Sequence, residues 1–214
     1  MLTHLDCTKC DRRYEPGQRL NLCECGAPLY ARYDLERAAR EMRPGHLALR
    51  EPTMWRYEEV LPVQDPEDRI SLGEGFTPLL PTPRLGALFG LPRLLVKDEG
   101  NNPTGSFKAR GLSMAVSMAR VLGATDVCLP SAGNAGSALA AYAAAAGLEA
   151  HVFLPRDIAS LFVAETKAYG AHVETVDGLI TDAGRVCAEQ ARGARTSTCV
   201  VSKRVLCNPH SFPP

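Results

Sequence analysis

From residue 93 onward the apolar positions switch between two periods. Short apolar runs, RLLVKDE, DVCLP, AHVFLP and AHVETV, alternate with longer segments whose apolar residues recur every three or four places. Short runs bounded by turn residues predict buried strands, and the longer spacing predicts helices packed on one face. Leu112, Ala115, Val116, Ala119 and Leu122 predict a helix over residues 106–122. NAGSALAAYAAAAG predicts an alanine-rich helix closed by Gly147 as a C-cap. IASLFVAETKAYG and LITDAGRVCAEQAR complete the pattern. Strand and helix alternate four times with short loops. The fold class is therefore α/β, a parallel sheet with helices on both faces and right-handed crossovers. Such sheets bind ligands beyond the C-terminal ends of their strands, at helix N-termini.

The rest of the chain divides around this unit. Residues 1–34 are cysteine-dense and punctuated by Pro16, Gly17, Gly26 and Pro28, which predicts a small loop-rich module. Residues 35–92 read as an arm and loop region, with one helix near DLERAAREM and a Gly/Pro-rich loop, LGEGFTPLLPTPRLG. Trp55 and Tyr57 are expected to pack this arm onto the α/β unit of residues 93–194. Residues 195–214 break the rhythm; one short strand at most is expected there, then an unstructured end. Cys207 and His210 in that tail are read as coincidental neighbours.

Charge adds mainly exclusions. Lys plus Arg equals Asp plus Glu at 24 each, so no nucleic-acid or membrane surface is predicted. No apolar run reaches the roughly 18 residues of a membrane helix, and MLTHLDCTKC lacks a signal-peptide pattern. The expected location is the cytoplasm, where the eight cysteines favour metal ligands or free thiols over disulfides.

Four of those cysteines carry candidate chemistry. Cys7 and Cys10 are spaced C-x-x-C, Cys23 and Cys25 are spaced C-x-C, and 12 residues separate the pairs. Two thiol pairs on turns supply the four ligands of tetrahedral zinc. A module this poor in apolar residues would draw its folding energy from the metal, roughly 10–16 kcal/mol in small fingers. The reading is a structural zinc ribbon; the bland alternative is a reduced, metal-free arm. His4 is expected to be solvent-exposed. Cys128 reads as a small buried hydrophobe, and His151 and His172 as hydrogen-bonded surface residues at strand starts.

The stretch NNPTGSFKARG places Lys108 on the first turn of a predicted helix. Backbone N–H groups there, together with burial, disfavour its charged form. A partly neutral amine is a nucleophile toward a carbonyl. A helix-start lysine on its own ordinarily snorkels to solvent. A second glycine loop changes that balance: SAGNAG, residues 131–136, joins a strand to a helix where a parallel sheet binds its ligand. Its glycines admit a ligand to the backbone, and Asn134 can donate and accept.

These residues carry a resemblance. NPTGSFKARG followed by SAGNAG is similar to the fold-type-II pyridoxal-phosphate enzymes. LGEGFTPLL, the PRLLVKDEGNNPTGSFKARG block, AHVFLP…KAYGAHVETVDG and the cysteine cluster ending in CGAPLYARYDL together resemble the threonine synthases, over residues 5–192. The resemblance implies that Lys108 bonds the pyridoxal 5'-phosphate aldehyde. It implies that Asn134 hydrogen-bonds the cofactor's 3′ oxygen and that Phe107 lies beside the ring. Thr104, Ser106 and Ser131 are expected near the substrate's phosphate or carboxylate. The implied reaction converts O-phospho-L-homoserine and water to L-threonine and phosphate, with a homo-oligomer possible in the full-length family.

The resemblance also has gaps. The family's later Gly-rich phosphate loop, and the Ser or Thr near its C-terminus that contacts the pyridine nitrogen, have no counterpart in residues 1–214. A truncated or frameshifted chain with weak cofactor binding and little turnover is expected. Cysteate synthase is an alternative activity. Threonine dehydratase and cysteine-synthase-like proteins lack the cysteine cluster. A noncatalytic partner-binding fragment is a third reading.

Overall fold

The structure, a computed structural model, describes residues 1–20, 22–193 and 198–199. Strands β1 (Leu2–Cys7), β2 (Arg13–Tyr14) and β3 (Leu29–Tyr33) form an antiparallel sheet in the order β2-β1-β3. Helix α1 (Leu35–Glu41) starts where the Asp34 carboxylate accepts from the Arg37 N–H at 2.8 Å, an acidic N-cap. A short helix α2 (Pro44–Leu49) and a 3-10 segment, Met54–Val60, follow.

The loop region contains β4 (Leu79–Pro81) and α3 (Pro83–Leu88), then β5 (Leu95–Lys97). Here the structure corrects the sequence reading. The RLLVKDE strand does not open the parallel sheet; β5 pairs antiparallel with β4 in a separate two-stranded sheet. Leu95 and Val96 remain exposed. Only three residues extend before the chain turns through 3-10 segments at Glu99–Asn101 and Pro103–Gly105, so no crossover reaches the larger sheet.

The parallel unit runs α4 (Lys108–Val121), β6 (Asp126–Pro130), α5 (Asn134–Ala146), β7 (Glu149–Pro155), α6 (Ser160–Ala168), β8 (His172–Val176) and α7 (Ile180–Gly193). A two-residue strand, β9 (Thr198–Cys199), pairs with β6, giving the order β8-β7-β6-β9, all parallel. The rest of the 195–214 tail, with Cys207 and His210, lies outside the described residues.

Side-chain alternation along the strands explains the two-faced packing. Val127, Leu129, Val152 and Leu154 join the core built with α4 and α5. Cys128 and Phe153 point the other way, onto Ala183 and Cys187 of α7. Helices therefore cover both faces, as predicted. Alanines let α5 approach closely: Ala138, Ala140 and Ala143 are at most 1% exposed. Gly147 ends α5 in the left-handed region at φ 70°, the expected C-cap. His151 and His172 stack across β7 and β8 with ring centroids 5.0 Å apart, rather than standing as separate surface groups. Cys128 is buried as expected, with its Sγ 3.4 Å from that of Cys187.

One buried carboxylate ties the arm to this unit. Glu74 is 0% exposed. Its Oε1 accepts from Trp55 Nε1 at 2.9 Å and Ser113 Oγ at 2.6 Å. Its Oε2 accepts from the Leu72 N–H at 3.0 Å and Tyr142 Oη at 2.6 Å. Trp55 is buried, as the sequence suggested, but Tyr57 is exposed under Arg56. Glu74→Ala would leave the Tyr142 hydroxyl without an acceptor in the core, while Trp55 Nε1 keeps Ser113 Oγ at 3.1 Å and Ser113 Oγ keeps the Ile70 carbonyl at 2.7 Å. It is expected to destabilise the protein by about 1–3 kcal/mol, read as a lower denaturant midpoint by circular dichroism.

Candidate functional site

The chain brings Lys108 and the Asn134 turn to the same end of the parallel unit. Helix α5 connects parallel β6 to β7, so it runs against both and starts beyond the C-terminal end of β6. Helix α4 packs along α5, and the Pro103–Gly105 turn packs on α5 as well. Neither helix start has a side-chain cap bond to its N-cap residue. Two helix N-termini, each with partial positive charge, thus share one region.

Lys108 is half-buried at the first position of α4. Its ammonium lies over the Phe107 ring, 4.4 Å from the centroid, a cation–π contact. Phe107 itself is 55% exposed, so a flat face stands open beside the amine. Ser106 is buried, and its Oγ accepts from the Lys108 N–H at 3.3 Å. Thr104 holds φ +62°, a region that a β-branched residue rarely occupies. Its Oγ1 is buried and has no hydrogen-bond partner among the described residues. The hydroxyl is thus enclosed by protein at the lysine turn rather than facing its open side.

The second loop is built around Ser131. Its Oγ donates to the Gly133 carbonyl at 2.9 Å and accepts from the N–H groups of Gly133 and Gly136, at 3.2 and 2.8 Å. The hydroxyl is fully engaged in shaping the turn. In this arrangement it does not face a substrate, which differs from the sequence expectation. Gly133, at φ 142°, faces Phe162, and a Cβ there would meet that ring at 3.2 Å. A Cβ at Gly136 would lie 2.8 Å from Val152 Cγ1. Both glycines are therefore required by backbone conformation and close packing. Asn134 is exposed at the first turn of α5.

A clamp that sequence reasoning missed fixes the lysine turn from behind. Arg110 donates to Glu99 through Nε at 2.6 Å and Nη2 at 2.8 Å. Thr77 Oγ1 donates to the same carboxylate at 2.6 Å, and Asn102 Nδ2 at 2.9 Å. Asn102 Oδ1 accepts from the Gly75 N–H at 3.0 Å. The Arg110 guanidinium, with Thr77 and Asn102 adding to it, holds the Glu99 carboxyl down at about 2. Glu74 was missed too. The available signal was an acid inside each loop: LGEGF and KDEGNN.

The four N-terminal thiols do come together. Their Sγ atoms lie within 4.8 Å of one another. Cys7 and Cys25 are 3.5 Å apart, and Cys10 and Cys23 are 3.6 Å apart. A tetrahedron with Zn–S bonds of about 2.3 Å has S···S edges of about 3.8 Å, so the spacing suits such a metal. The N–H groups of Lys9 and Cys10 donate to Cys7 Sγ at 3.3 and 3.4 Å. Tyr14 Oη donates to Cys23 Sγ at 3.1 Å and brings that thiol down to about 6. His4 lies apart, paired with Asp6 at 3.1 Å. Arg19 docks the module on the end of α4, donating to the carbonyls of Leu122 and Gly123 at 2.8 and 2.7 Å.

Comparison with known proteins fits this geometry. A family profile described as "Pyridoxal-phosphate dependent enzyme" matches residues 70–210. A threonine synthase of Methanocaldococcus jannaschii is 41% identical over 178 residues, which is 83% of this chain and 44% of that protein. A threonine synthase of Synechocystis sp. is 44% identical over 129 residues, 59% of this chain and 34% of that protein. The chain thus spans less than half the length of these curated relatives. A crystal structure of a pyridoxal 5'-phosphate-dependent aspartate racemase superposes with a TM-score of 0.54 at 27% identity, covering 59% of this chain and 40% of that one.

The clamp makes an acid-range prediction. A carboxyl held at about 2 when folded and at its ordinary value of about 4.3 when unfolded stabilises the fold above the unfolded value. That contribution is lost as pH falls toward about 2. Glu99→Gln is expected to lower stability at pH 7 by about 2 kcal/mol. It should also flatten the fall in melting temperature between about pH 4.3 and about pH 2, measured by differential scanning calorimetry.

Proposed function

The chain belongs to the pyridoxal-phosphate dependent enzymes, and on that premise we propose that it carries the lysine side of a threonine synthase-like lyase site. The reaction is conversion of O-phospho-L-homoserine and water to L-threonine and phosphate. The observation that supports this reading is the half-buried Lys108 amine, set over the exposed Phe107 ring at the shared end of α4 and α5.

When bound, the cofactor supplies an aldehyde that captures amines and a ring that accepts the electrons of a carbanion. Lys108 supplies the amine that attaches to it and the base that moves protons at the substrate carbons. Asn134 offers an amide at the start of α5, and Phe107 offers an apolar face. The partial positive charge of the two helix starts favours an anionic group. Ser106 sets the lysine turn and Ser131 sets the facing loop; both act as positioning residues in this reading. Glu99 and Arg110 hold the backbone from which Lys108 projects.

In the same proposal, Cys7, Cys10, Cys23 and Cys25 hold a structural zinc. Among the described residues the module's own apolar cluster has Cys7, Cys23, Ala27 and Leu29 as its buried members, too small a core to fold alone.

Two outcomes are expected. Mixing residues 1–214 with pyridoxal phosphate should give a weak visible absorbance band from a lysine adduct. Lys108→Ala should abolish it, while Lys167→Ala, at an exposed site on α6, should leave it unchanged; an unchanged band in the Lys108 variant would sink the assignment. Purified protein should contain about one zinc per chain. Cys23→Ser should lower zinc content by roughly tenfold or more and unfold β1–β3 selectively, read by elemental analysis and hydrogen exchange.

A further inference from the structure

A separate cavity of about 590 Å³ opens in the arm, away from the lysine turn. That volume is in the range of small-molecule sites, yet its walls are almost wholly charged. Its acids are already neutralised. Glu59, only 4% exposed, receives both terminal nitrogens of Arg50, at 2.8 and 2.5 Å. Glu58 lies between Arg50 and Arg69, at 3.3 and 2.8 Å. Glu41 is paired at 2.7 Å with Arg37, which does not line the cavity.

Its cations are in surplus. Arg40 and Arg43 line the same cavity, and neither forms an ion pair with a carboxylate among the described residues. Arg43 only donates through Nε to the Arg40 carbonyl at 3.1 Å, leaving the outer fork of its guanidinium uncommitted. The Met1 ammonium also lines the cavity, where it donates to the Glu59 carbonyl at 2.5 Å. His46 adds an imidazole on the same wall. In addition, Arg69 Nε is buried with no partner, although Arg69 is anchored through Nη2 to Glu58 and to the Gln64 carbonyl at 3.0 Å. That nitrogen is enclosed, with the guanidinium over the Trp55 ring, so Arg69 contributes to the cavity through its charge.

We infer that this cavity is a second ligand site, for a small multivalent oxyanion of the phosphate or polycarboxylate class. Arg50 and Arg69, fixed by Glu58 and Glu59, form its floor. Arg40 and Arg43 close on the anion from the rim, where planar guanidinium forks match phosphate and carboxylate oxygens. The lining carboxylates would repel the ligand if they were unpaired; their ion pairs remove that barrier.

Isothermal titration calorimetry of the full chain at about 0.1 M salt, where the screening length is about 10 Å, tests the site. Inorganic pyrophosphate and citrate are the probes, with no pyridoxal phosphate present, so the result is independent of the Lys108 assignment. Saturable one-to-one binding tighter than about 1 mM is expected for at least one probe. Arg40→Ala/Arg43→Ala should weaken it at least tenfold, roughly the loss of one or two charge-assisted hydrogen bonds. These side chains are exposed and make no ion pair, so the variant should keep its circular dichroism spectrum. Arg84→Ala/Arg93→Ala removes the same charge from exposed positions elsewhere and should change affinity by no more than about twofold. Preference for pyrophosphate assigns a phosphorylated ligand, and preference for citrate a polycarboxylate. Absence of saturable binding, or an equal loss in both double variants, would overturn the inference.

Discussion

The buried Glu74 carboxylate is the constraint on which the arrangement depends. A carboxylate at 0% exposure persists only if its lone pairs are filled. Four donors fill them, and each comes from a different part of the chain: Leu72 from the loop, Trp55 from the arm, Ser113 from α4 and Tyr142 from α5. Burial, reinforced by the Glu74 hydrogen bond, pushes the Tyr142 phenol upward, which keeps it a donor throughout the physiological range. The network also fixes Gly75, whose φ is +108° and whose Cα approaches Met54 so closely that a Cβ would lie 2.5 Å from the Met54 nitrogen. Gly75 then donates to Asn102, and Asn102 belongs to the Glu99 clamp. Arm, loop and lysine turn are thus one connected polar structure set against an apolar α/β core.

That connectivity explains what could be read from the sequence. The three complete strand–helix units follow from local periodicity, because each element buries one face against its chain neighbours. The cysteine pairs were legible because metal spacing is local too. The two loops that carry Lys108 and Asn134 were legible as helix starts because glycine and small residues mark turns.

The misses are all long-range. Whether Leu95–Lys97 joins a parallel sheet or an antiparallel pair depends on which free edge is nearest, and its partner lies at Leu79–Pro81. The stacking of His151 on His172 depends on the register between β7 and β8. The resemblance placed Ser131 near a substrate; its hydroxyl also bonds the backbone of its own loop, which only the turn's three-dimensional course reveals. The roles of Glu74 and Glu99 were not legible because their partners are spread over the arm, the loops, α4 and α5.

The electrostatics of the lysine turn follow from the same networks. Lys108 sits at a helix N-terminus, where partial positive charge already accumulates, and α5 begins nearby with the same polarity. The two carboxylates of the connected network are already engaged. Glu74 accepts from Leu72, Trp55, Ser113 and Tyr142, and Glu99 accepts from Arg110, Thr77 and Asn102. Neither makes an ion pair with Lys108 among the described residues. The open side therefore presents an amine, two positively polarised helix starts and the exposed face of Phe107. A planar, apolar ring bearing an aldehyde and an anionic group meets each of these demands at once.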